Sequence, residues 1–163
     1  MSFRNVVAFD VLTDQDDPFD GFGPVLQRDA RYERVFLEQV ELAKGRVSET
    51  FHVDLTEPDI APKVLDTIVR EMWNQSWNPE TGNLDLFVTD FGLVVFSSVA
   101  DLEDGVPTFR SHTDPLHTSI HWASAAVEAF PFHKALKMLI EGEGESAAQF
   151  VRGVSKLVRD LQT

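Results

Sequence analysis

The groups in this chain best suited to chemistry are its five histidines and twenty-seven carboxylates. Cysteine is absent, which removes thiolate zinc sites, iron–sulfur clusters, thiol nucleophiles and disulfides together. His117 and His121 stand four residues apart, so on a helix they share one face and two imidazoles could converge on one metal. His112, with Asp114 or Glu128, is the nearest source of a third ligand. The intervening Thr118, Ser119 and Ile120 lack the glutamate that turns a histidine pair into a hydrolytic zinc motif. The plainer reading is a pair of surface histidines beside an apolar stripe. The metal reading defines one function class, a divalent-metal-binding protein or metal-assisted hydrolase using His117 and His121.

A second cluster, Asp14, Asp16, Asp17 and Asp20, could offer carboxylates to a hard cation. It departs from the EF-hand pattern: with Asp16 first and Asp20 fifth, Pro18 falls third and Gln27 takes the place of the terminal glutamate. Aspartates in such a turn ordinarily cap backbone amides. The segment from Glu141 to Ser146 has glycines and precedes a helix, yet it carries three glutamates and no lysine, so it suits a helix dipole and repels phosphate. There is no Gly-x-Ser-x-Gly elbow and no dinucleotide fingerprint after a strand. Nothing local nominates Ser97, Ser98 or His52 for a dispersed triad. No cofactor is expected.

Four aromatics lie where an interface could use them. Phe19 and Phe22 interrupt a polar loop, and Trp73 and Trp77 fall at the exit of a helix. The competing role is to cover the core, which loop aromatics commonly do.

A net charge of −13 repels phosphate backbones and anionic headgroups, so neither nucleic acid nor membrane is expected as a partner. A protein partner or self-association fits it better. The first ten residues reach an aspartate too soon for a signal-peptide core, and no stretch approaches the ~20 apolar residues of a membrane span, so the cytoplasm is the expected compartment.

These groups must be carried by elements. Val6 to Leu12 reads as a strand, and Asp29 to Lys44 as a helix with Gly45 as its terminator. Val47 to Leu55 alternates like a half-buried strand. Thr56 and Asp59 resemble a capping pair ahead of a helix running to about Asn74. Leu84 to Thr89 and Leu93 to Val99 flank Asp90-Phe91-Gly92 and read as a central hairpin, followed by a short edge strand over Thr108 to Ser111. Leu116 to Phe130 has a helical stripe, although Ile120, Trp122 and Val127 also suit two strands meeting near Ala123-Ser124. Pro131 opens a helix that Gly142 ends. Ser146 and Gln149 have capping-box spacing ahead of a last helix whose stripe is Ala147, Phe150, Val151, Val154, Leu157, Val158 and Leu161.

The expected fold is therefore α+β: a single domain over residues 1–163, with a mainly antiparallel sheet of about four to five strands packed by four to five helices, and a helix-rich C-terminal third. The expected function is a non-catalytic protein-interaction or regulatory module. If the last helix buries its whole stripe, Leu157→Ala costs about 2 to 5 kcal/mol in urea unfolding.

Overall fold

A computed structural model describes residues 30–100, 102, 105–108, 116, 118–122, 127–142 and 144–161, with the side chains of residues 30–33 and 35 excepted. The elements in chain order are α1 (Ala30–Phe51), α2 (Ala61–Asn74), α3 (Leu84–Ala100), β1 (Val106–Thr108), β2 (Ser119–Trp122), β3 (Val127–Ala129), α4 (Pro131–Glu141) and α5 (Ala147–Leu161). The class is a helix-rich mixture of α and β. Among the described residues the sheet has three antiparallel strands in the order β1-β2-β3, which corrects the expected four to five. The strand expected over Val6 to Leu12 lies outside the described residues.

The largest correction is α3. The segments read as two strands and a turn form one seventeen-residue helix, and its Val88 to Phe96 are buried without a break. A helix apolar on every side shows no 3.6-residue period, so its sequence imitates a buried strand. Asp90 continues the helix because Arg46 of α1 takes both its oxygens, at 2.8 and 3.2 Å. Gly92 is a point of close packing rather than a turn: a Cβ there would lie 2.2 Å from the Phe132 ring.

The strand expected over Val47 to Leu55 is also corrected, since α1 runs through Gly45 to Phe51 and His52 ends it with a φ of 54°. A four-residue step from Val47 to Phe51 fits both periods, and packing decides between them. Phe51, in the last turn of the helix, meets the rings of Phe87 and Phe91 on α3, each with centroids 6.2 Å away. Thr56 does not cap α2; its amide and hydroxyl donate to Asp54 at 2.9 and 2.7 Å.

The helix expected over Leu116 to Phe130 gives way to the two-strand alternative, β2 and β3, with Ile120 opposite Ala129 and Trp122 opposite Val127. Ile120 and Trp122 point inward and His121 outward, the alternation a half-buried strand requires. A strand is present as β1, which includes Thr108 and pairs with β2, while the rest of the edge strand expected over Thr108 to Ser111 lies outside the described residues. Pro131 and Gly142 bound α4 as expected, Gly142 with a φ of 71°.

The close approach at Gly92 makes a testable consequence. Gly92→Ala is expected to destabilise the protein by about 1 to 3 kcal/mol by overpacking against Phe132. Phe132→Leu should recover part of that loss in a double-mutant cycle read by urea unfolding, and strictly additive effects would contradict the contact.

Candidate functional site

Most residues nominated by the sequence do not come together. His112, His117, Asp14, Asp16, Asp17, Asp20, Phe19 and Phe22 lie outside the described residues. His121 is exposed on β2, in register with Glu128 of β3 and Val106 of β1. No group of three potential metal ligands occurs among the described residues. Trp73 and Trp77 are half-buried staples, donating their indole N–H to the carbonyls of Met138 and Leu139 at 3.2 and 2.9 Å. They tie the exit of α2 to the last turn of α4.

A groove of about 810 Å³ opens elsewhere, between β3, α4 and α5. Its floor is Val127, Glu128, Ala129 and Phe130, one wall is Phe150, Gly153, Val154 and Leu157 of α5, and the other is His133, Lys134 and Lys137 of α4. The volume lies within the ~300 to 1,000 Å³ common for ligand sites.

The local sequence explains why the groove exists. The stripe of α5 is wider than the surface available to it, so of its members Ala147, Val154 and Val158 are buried. Phe150 and Val151 are half-buried, while Leu157 and Leu161 remain 51% and 53% exposed. The expected cost of Leu157→Ala accordingly falls from the buried-leucine range to about 0.5 kcal/mol, that of a surface substitution. Gly153 sits mid-helix on the same wall, and a Cβ there would meet nothing within 4 Å among the described residues.

Polar contacts hold α5 at this angle. Asp66, reaching from α2, accepts the amides of Ala147 and Ala148 at 2.7 and 3.2 Å and the Ser146 hydroxyl at 2.6 Å. Ser146 in turn accepts the Gln149 amide at 3.1 Å, as the capping spacing anticipates. The role of Asp66 has no local signal, because its partners lie eighty residues away.

The charged lining is mostly occupied. Lys134 donates to Glu145 across the mouth between α4 and α5. Ser119 donates to Glu128 at 2.5 Å. Lys137 makes no ion pair with a carboxylate among the described residues. The hydrogen bond from Lys134 holds the Glu145 carboxyl below its usual range, against the opposing effect of burial, and the charge of Lys137 adds to the lowering.

No model of a known family, no curated protein and no solved structure matches the chain.

The lowered pKa of Glu145 sets a direction with pH. A carboxyl whose folded-state pKa lies below its unfolded value contributes stability above that unfolded value, and the contribution is lost as pH falls through the folded one. Glu145→Gln should thus lower the urea midpoint at neutral pH, and the gap to the parent should close as pH falls through the carboxylate range. A gap of constant size from neutral to acid pH would contradict the pairing.

Proposed function

We propose that this chain is a non-catalytic binding module that receives a protein partner, or a second copy of itself, in the groove between β3, α4 and α5. One observation carries the reading: a wall of α5 that is apolar, half-exposed and interrupted by a glycine that no described residue covers. An interior glycine weakens a helix by about 1 kcal/mol relative to alanine. Nothing in the described chain approaches Gly153 closely enough to need that sacrifice, and a partner backbone seated against α5 would. Lysine and glutamate at the mouth are paired with each other and orient the walls, so they support a rim for recognition rather than a reacting pair.

The surrounding reading is a single α+β domain of the cytoplasm with no nucleic-acid or membrane ligand. Its support is the net charge of −13, and no helix among the described residues is long and apolar enough to cross a membrane. The alternative through His117 and His121 gains no favouring observation: His121 stands opposite Glu128 across the β2–β3 pair, His117 lies outside the described residues, and no group of three potential ligands occurs among the described residues.

The test uses Gly153 twice. Gly153→Ala should raise stability by about 1 kcal/mol, because the methyl meets open space. Gly153→Trp should fill the groove while leaving the far-ultraviolet circular dichroism unchanged. The native protein is expected to bind the apolar dye anilinonaphthalene sulfonate saturably, and the tryptophan variant to lose at least about tenfold in affinity. Equal dye binding by both proteins, with both folded, would overturn the groove as the site.

A further inference from the structure

Resting on that reading of the groove, we infer that its occupant is an amphipathic α-helix of a partner protein that carries carboxylates along the flank facing α4. The shape of the apolar wall selects a helix. Phe150, Leu157 and Leu161 keep part of their surface exposed and stand seven and four residues apart with the buried Val154 between them, the spacing by which one helix offers a seam to another. From Phe150 to Leu161 the seam rises about 16 Å, three helical turns. A partner helix of that length could engage it throughout. Gly153 lies beside the middle of the seam, where missing side-chain volume lets two helix axes approach.

The opposite wall selects the charge. His133, Lys134 and Lys137 all line the groove from α4, and one carboxylate, Glu145, already answers Lys134. Glu128 on the floor accepts the Ser119 hydroxyl. Lys137 is exposed at the rim and its charge acts on Glu145, yet no carboxylate of the described residues lies within ion-pair distance of it, although acidic side chains outnumber basic ones nearly two to one in the chain. The asymmetry extends beyond that residue. Residues 131–163 hold five of the fourteen Lys and Arg but only four of the twenty-seven Asp and Glu. The groove thus lies at the cation-rich end of an acidic chain. A carboxylate brought to Lys137 at the edge of an apolar contact gains more than it would in open water, because the docked helix excludes solvent there.

The experiment uses three synthetic helical peptides of about four turns, with the same leucine seam and with Glu, Gln or Lys along one flank. Fluorescence anisotropy against the full chain measures each affinity. The Glu peptide is expected to bind at least about tenfold more tightly than the Gln peptide, and the Lys peptide more weakly than either. Lys137→Glu should reverse the order of the Glu and Lys peptides, whereas Lys137→Arg should keep it. If the Gln peptide binds as tightly as the Glu peptide, the acidic partner is wrong and the groove stands. If no peptide binds while the dye is still displaced by Gly153→Trp, the helical occupant is wrong and the groove again stands. If Gly153→Trp leaves the Glu peptide's affinity intact, peptide binding lies elsewhere and both readings fall. Preferential binding of phosphatidylserine vesicles by the same groove would also overturn the acidic helix.

Discussion

A helix with buried side chains around its whole circumference must be covered on every side, and α3 imposes that demand on the rest of the described chain. Val88, Phe91, Leu93, Val94, Val95, Phe96 and Val99 leave no face for water. Burying such side chains is worth roughly 1.5 to 3 kcal/mol each relative to exposure, so their neighbours are arranged to complete the cover. Phe36 of α1 meets Phe96 edge to face at 4.8 Å, and Phe132 of α4 lies over Gly92. Because α1, α2, α4 and α5 cover α3 with one face each, they are amphipathic where α3 is not.

Polar contacts then choose among the ways of covering it. The Arg46–Asp90 pair fixes where α1 crosses α3, with the hydrogen bonds to Asp90 holding the guanidinium still more firmly in its charged form. The two indole donors of Trp73 and Trp77 tie α2 to the end of α4, and Asp66 ties α2 to the start of α5. With α4 and α5 thus held from below, the loop between them is short and the Lys134–Glu145 contact spans their mouth. The groove is what remains when two helices are anchored to a common support and no described residue covers their outer flanks.

The fold was legible where one face of an element is wet. The helical stripes of α1, α2, α4 and α5, the proline that opens α4 and the glycine that closes it follow from the sequence directly. The reading failed where period and burial part company. Val47 and Phe51 satisfy two periods at once, and α3 has none, so its run of Leu, Val and Phe imitates a pair of buried strands. Leu116 to Phe130 had both patterns, and the inward Ile120 and Trp122 decided for the sheet. The groove was harder still. Its one sequence signal is a stripe on α5 too wide for a single buried face, with Gly153 within it. Asp66, the group that sets the angle of α5, stands far from it in the chain and had none.

The dependence of the whole arrangement on α3 is open to a direct measurement, native-state amide hydrogen exchange followed residue by residue. The amides from Val88 to Val99 should be the slowest in the protein and should exchange only through global unfolding, with protection equal to the free energy from urea denaturation. The outer turns of α5, including Leu157 and Leu161, should exchange through smaller openings. Exchange in α3 that outpaces α1 and α2, or that is fast at Asp90, Phe91 and Gly92 between two protected stretches, would contradict a continuous central helix.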